Sequence, residues 1–196
     1  REGLAGVEAA TGLRFGDADR PLLVSIRSGA SASMPGMLDS VLNVGLDRST
    51  LPGLAQRGGR RFALDAYRRL LQMFGDVVLG VPRDVFEKLL AAAKTRLGRP
   101  AMLDSELDAD ALEALTTAFE AHLAGVQPTL FPCDPQRQLE LAITAVYRSW
   151  NNPRARRYRG LQGISDDLGT ACVVQAMVFG NHGPRSGAGV AFTRNP

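Results

Sequence analysis

The spacing of apolar residues divides the chain into three textures. From Arg61 to about Arg159 they recur every three or four positions, the period of an amphipathic helix. Phe62, Ala66, Leu70, Met73 and Val77 form one such stripe, with Arg68 and Arg69 on another face. Pro82 and Asp84 open a second helix, striped by Phe86, Leu89, Leu90, Ala93 and Leu97 and ended by Gly98 and Pro100. A third runs from an Asp108 cap through Leu112, Leu115, Phe119 and Leu123 to Gly125. The fourth begins Asp134-Pro135, a cap followed by proline at the first helical position, and carries Leu139, Ala142, Ile143, Val146 and Trp150. Pro153 starts a short fifth helix through Tyr158.

The flanks read differently. Between Arg1 and about Leu46 the chain is rich in Gly, Ser and Met, and Leu22–Ile26 is a strand placed after the punctuating Pro21. A loop of small residues follows from Ser28 to Gly36, and then a short apolar helix is predicted from Leu38 to about Val44. After Gly169, Thr170–Phe179 is a second β run. Gly180–Gly183 makes a turn and Gly189–Thr193 a further strand, which together predict a hairpin. Alternation along the β run places Gln175, Met177 and Phe179 on one face and Val174, Ala176 and Val178 on the other. The fold class is α+β.

Composition narrows the function. A chain of 196 residues with 45% hydrophobic content and a net charge of +3 can bury a sizeable core, and is neither disordered nor basic enough to announce nucleic-acid binding. No apolar run approaches the ~20 residues of a membrane span. Cys133 and Cys172 stand far apart, which argues against a disulfide framework and suits a reducing, cytoplasmic setting. Of 23 basic side chains only Lys88 and Lys94 are lysines, so 21 are arginine, the cation best shaped for phosphate and carboxylate. The start, Arg1-Glu2-Gly3, has neither an initiator Met nor a signal segment, and a sheet that stops after Asn195-Pro196 would leave an open edge. The chain is therefore expected to be a piece of a longer protein.

Three places could carry chemistry. Arg27 ends the first strand just before Ser28-Gly29-Ala30, which would aim its guanidinium beyond the sheet, where its fork suits phosphate oxygens, although from these residues alone a salt bridge to a neighbour is the commoner role. The loop Ser31–Leu38 could offer backbone amides to an anion, although it lacks the Walker lysine. Met34 and Met37 are unusual in a solvated loop and imply packing on something flat and apolar, such as a base or a lid. The strand Val173–Val178 could pair with a purine through its backbone while Met177 packs on the ring. Elsewhere the signals are bland. His122 near a helix end and His182 in a solvated turn have no partner motif, and Asp104, Glu106, Asp108 and Asp110 read as cap and dipole complement. Arg154, Arg156, Arg157 and Arg159 read as a solvated or interdomain helix face.

Taken together, several blocks resemble the N-terminal nucleotide-binding domain of the pyruvate phosphate dikinase family. They are Val24–Ala30 with Ser33–Leu46, Asp65–Val78, Val146–Ala155, Gly169–Asn181 and Ser186–Pro196, in the right order. The related phosphoenolpyruvate synthases fit less well, lacking the Ser33-Met34-Pro35-Gly36-Met37-Leu38-Asp39-Ser40 run. The resemblance implies a partial ATP-grasp domain with a mainly helical insertion. Residues 1–60 would be the first part of the nucleotide-binding lobe, 61–148 the insertion and 149–196 the return with its hairpin. It also implies a reversible reaction of ATP, pyruvate and phosphate to AMP, phosphoenolpyruvate and pyrophosphate, through a histidine on a swivelling domain. Arg27 would contact the triphosphate. The loop at Gly36, Met37 and Leu38 would cover it, and Gln175, Met177 and Val178 would line the adenine slot. Mg²⁺ is implied, with ligands outside this chain, as are a phosphohistidine domain, a pyruvate-binding barrel and a homo-oligomer for the whole protein, with no nucleic acid or membrane partner. The family's lysine near its N-terminus and its D-x-E and Q-x-R segments have no counterpart here, so the chain alone is expected to be inactive. A competing reading of the residues is a stand-alone helical module whose arginine faces bind an acidic protein or RNA.

Overall fold

The computed structural model describes residues 2–183 and 185–189. Its elements are α1 (Glu2–Thr11), β1 (Arg14–Phe15), β2 (Pro21–Leu22), β3 (Val24–Gly29), β4 (Ser40–Val44), α2 (Leu51–Gly58) and α3 (Arg60–Val77). There follow α4 (Arg83–Arg96), α5 (Ala109–Val126), α6 (Pro135–Ser149), α7 (Pro153–Gln162) and β5 (Ala171–Ala176). The class is α+β, as the texture predicts. The second strand expected at Gly189–Thr193 lies outside the described residues but for its first.

The four long helices follow their apolar stripes, and in α5 and α6 a side-chain cap coincides with the stripe. Asp108 accepts a hydrogen bond from the Ala111 N–H (2.8 Å) and Asp134 one from the Arg137 N–H (2.8 Å), with Pro135 inside the latter cap. α3 runs through the middle of the molecule, packing on α5, α2 and β4. It is buried at Phe62, Ala66, Tyr67, Leu70, Leu71 and Phe74. It is covered more widely than its stripe predicts: Arg68, expected on an outer face, is 4% exposed. Burial is tolerable because Asp65, also 4% exposed, meets it at 3.0 Å and accepts from Arg69 as well.

The main sheet has the order β4-β3-β5 with both pairings antiparallel. Two rows of side chains, Val44/Val24/Ala176 and Val41/Ile26/Val174, cross one face in register, and α3 and α6 pack against this sheet. One contiguous core joins these strands to α2 through α6.

The helix predicted from Leu38 to Val44 is a strand, β4. Its pairing with β3 slips between Val24 and Ile26, so two residues of β4, Leu42 and Asn43, oppose one of β3, Ser25. This is a β-bulge. Asn43 takes the positive φ (60°) it requires and is held by its side-chain amide, which donates to the Ala66 carbonyl at 3.0 Å. The bulge lets both Val41 and Val44 reach the core three positions apart. In sequence that interval passes for a helical turn. α1, which buries no residue, carries no strong stripe; α2, only eight residues long, buries Leu51 and Leu54, and neither helix is among the elements the sequence predicts.

Close packing inside α3 gives a test. A Cβ on Gly75 would fall 2.3 Å from Phe86 Cζ and 2.9 Å from Leu123 Cδ2. Gly→Ala in an open helix adds about 1 kcal/mol. Here Gly75→Ala is expected to lower the unfolding free energy by about 1–3 kcal/mol through overpacking, seen as a lower urea midpoint.

Candidate functional site

β3 leaves the core at Arg27. In register with it are Ser40 on β4 and Val173 on β5, so the three share the sheet face opposite the helices. Arg27 and Val173 are exposed there, as is Gln175 one rung along. Beyond Gly29 the chain makes a loop, residues 30–39, that turns back toward Arg27. Strand end and loop enclose a cavity of about 380 Å³ bounded by Arg27, Gly29, Ser33, Gly36, Leu38 and Ser40 among others. Gly36 sits at the tip with φ 70°, and no atom lies within 4 Å of where its Cβ would be. The Met37 N–H donates to the Met34 carbonyl (3.1 Å) to close the turn.

Among the described residues Arg27 has no hydrogen-bond or ion-pair partner, whereas Arg48, Arg60, Arg68, Arg154 and Arg159 each meet a carboxylate. What sets Arg27 apart from the other unpaired arginines is its place beside this cavity under the small-residue loop. A cation over a cavity walled by Gly, Ala and Ser suits a ligand with negative oxygens.

The structure brings Arg27, Gly36 and Leu38 to one cavity and puts Gln175 on the same sheet face. It separates the others. Met37 is drawn, with Met34, into a small apolar cluster with Trp150 and Ala155. The flat apolar surface that the two methionines need is supplied in part by an indole, not a base. Alternating exposure along β5 fails after Ala176, where Met177 and Phe179 pack on the core while Val178 is 87% exposed. The Met177 amide is already given to the Leu23 carbonyl (2.9 Å). His182 is exposed, as its turn predicts, and its ring sits edge-on to Phe62 with centroids 4.9 Å apart.

In the arginine run after Pro153, Arg154, Arg156 and Arg157 are exposed as the helix-face reading expects, and Arg159 is the exception. Arg159 is fully buried, 4.1 Å from the Trp150 ring, with its Nε on Asp166 (2.6 Å). Arg154 pairs with Asp39 at the foot of the loop and donates from Nε to the Met37 carbonyl (3.1 Å). Asn152 donates to Asp39 (2.7 Å), and the Asp39 N–H donates to Ser149 Oγ (3.1 Å). No local motif signals these contacts, which join distant parts of the chain.

A second cavity, about 410 Å³, lies between α3, α5 and the start of α6, floored by Leu70, Leu71, Phe74 and Phe131. On its rim Arg48 is held cationic chiefly by Glu120, and burial, with the Glu120 carboxylate it donates to, keeps the Tyr67 hydroxyl protonated well above the usual range. Cys133 also lines it, and burial with Asp134 nearby pushes its thiol up to about 11. Among the described residues no cluster of three or more His, Cys, Asp or Glu could hold a metal, and no helix is long and apolar enough to cross a membrane.

Fold and cavity define an α+β domain with a free arginine held under a small-residue loop. Over residues 1–196 the chain matches the family described as pyruvate phosphate dikinase, AMP/ATP-binding domain, and it belongs to that family. It is 52% identical over 191 residues to a pyruvate, phosphate dikinase of Giardia intestinalis, an alignment covering 97% of this chain and 21% of the relative. With that of Rhizobium meliloti it shares 52% over 197 residues, covering the whole chain and 22% of the relative. With the chloroplastic enzyme 1 of Arabidopsis thaliana it shares 48% over 195 residues, 100% of this chain and 20% of the relative. The chain thus spans about a fifth of the length of these relatives.

The raised thiol pKa has a measurable consequence. At pH 8, Cys133 should hold about a hundredfold less thiolate than an exposed cysteine, so iodoacetamide should modify it correspondingly slowly. Because the shift is upward, the rate should keep climbing until the pH passes about 11, read by mass spectrometry of the Cys133 peptide.

Proposed function

We propose that this chain forms part of the ATP-binding lobe, of the ATP-grasp type, of a pyruvate phosphate dikinase. The whole protein would convert ATP, pyruvate and phosphate to AMP, phosphoenolpyruvate and pyrophosphate through a phosphohistidine on another domain. Its partners would be that domain and a pyruvate-binding barrel of the same protein, in a cytoplasmic homo-oligomer. The family match and the spanned fifth of the relatives' length support this reading, in which the 196 residues alone do not turn over. Within it, residues 1–60 and 149–196 are the lobe and 61–148 its helical insertion.

The observation that carries the site is Arg27, free of any partner among the described residues and facing the cavity under the loop at Gly36, Met37 and Leu38. Phosphoryl transfer asks a protein mainly for positioning and charge neutralisation, and an arginine fork meets both needs. Gly36, with open space around it, lets the backbone approach the triphosphate, and Leu38 lines the wall. The adenine is assigned to the edge of β5 left unpaired among the described residues, with Gln175, Met177 and Val178 around it. Since the Met177 amide is spent on the sheet, a hydrogen bond to the base falls to Val178. Mg²⁺ belongs to the proposed reaction, but the described acidic residues do not form a site for it.

The test is an assay of the full-length protein with ATP, pyruvate and phosphate. AMP and phosphoenolpyruvate should form together. Arg27→Ala should cut kcat/KM for ATP by about 10²–10³-fold, the cost of deleting a charge-stabilising donor. A variant within twofold of the unaltered enzyme would remove Arg27 from the triphosphate.

A further inference from the structure

The loop enclosing Arg27 is gripped at two points by one corner of the helical layer. Its first half is held by apolar contact, since Met34, 8% exposed, is clustered with Trp150 and Ala155. Its second half is held by polar contact, through the Asp39 amide on Ser149 and the Asp39 carboxylate on Asn152 and Arg154. Ser149, Trp150, Asn152 and Arg154 all lie where α6 turns into α7. Between the two grips stands the bare tip, Gly36.

We propose that the α6–α7 corner is a positioning device for the phosphate-covering loop, with Asp39 and Arg154 as positioning residues that fix the loop's height over Arg27. The proposal rests on the reading of the cavity as the triphosphate site. A loop of Gly, Ala and Ser has little apolar surface of its own, and ordering it costs roughly 1–2 kcal/mol per residue in backbone entropy. Met34 alone cannot hold its second half. Arg154 can, because its planar fork reaches Asp39 and the Met37 carbonyl together. That engagement is why Arg154 is assigned to the loop and not to phosphate.

The corner is itself braced. Trp150 Nε1 donates to the Asp166 carbonyl (2.9 Å), and the buried Arg159 lies against the indole while pairing with the Asp166 carboxylate. Asp76, on α3, feels the same pair: burial pushes its carboxyl up, Arg83 opposes this, and the Asp39 charge adds to the rise. Arg154, like Arg83, opposes that rise, so removing Arg154 would leave the Asp39 and Asp76 charges less compensated. A loop held in place before ATP arrives spares the complex the ordering cost at binding, so losing the grip should weaken ATP use first.

The experiment uses the full-length protein with Arg154→Ala, Asp39→Asn and the double variant. Each single change should raise KM for ATP about tenfold while KM for pyruvate stays within twofold. The double should be no worse than the stronger single, because both act through one contact. Proteinase K should cut between residues 30 and 38 several-fold faster in Arg154→Ala, with the cleavage sites mapped by mass spectrometry. Unchanged cleavage, an ATP KM within twofold of normal, or effects that multiply in the double would overturn the proposal. If the unaltered protein shows no ATP turnover, the functional reading fails, and the cleavage rates alone still decide whether the corner holds the loop.

Discussion

The structure depends on one helix gripping one strand at both ends. β4 is only five residues long and carries a bulge, yet it forms one wall of the sheet and leads straight out of the loop over Arg27. Near its start, α6 inserts the Gln138 amide between the Gly45 N–H (3.1 Å) and the Leu46 carbonyl (3.1 Å) just after β4. At its end, Ser149 receives the Asp39 N–H just before β4. Gln138 and Ser149 are both buried, so leaving their backbone partners unpaired would cost about 1–3 kcal/mol each. A short bulged strand has few ladder bonds of its own to resist slipping, and α6 provides that resistance. Since Arg27 stands opposite Ser40, whatever fixes β4 also fixes Arg27 against the loop.

The same economy explains the arginines. Most of the ion pairs bind one helix to another segment of the fold, as Arg48 does by joining the β4–α2 loop to Glu113 and Glu120 on α5. Arg159 takes this furthest, a guanidinium buried against an indole and paired with Asp166. Such cations are structural, their charge already matched within the fold. Arg27 is unlike them because the sheet face on which it stands is not covered by helices.

How much of this could be read from the chain follows from the range of each cause. Helices α3 to α6 were legible because their stripes are local, and in α5 and α6 the caps are local too: Asp108 and Asp134 sit within three residues of the amides they hold. Arg27 was legible from its place at a strand end. β4 was not, because a bulge and a helical turn place Val41 and Val44 at the same interval, and only pairing with Ile26 and Val24 tells them apart. The methionines announced an apolar partner without naming it, since Trp150 lies far along the chain. The grip on Asp39 was invisible for the same reason. Ser149, Asn152 and Arg154 look ordinary until the fold brings a carboxylate to them.

Native-state hydrogen exchange on the unaltered protein tests the central claim that α6 clamps β4 at both ends. The account predicts that the Asp39 and Gly45 amides exchange as slowly as those of Val24 and Ile26, opening only with the whole fold, while the Gly36 amide exchanges freely. Asp39 and Gly45 amides that exchange as fast as Gly36 would contradict it.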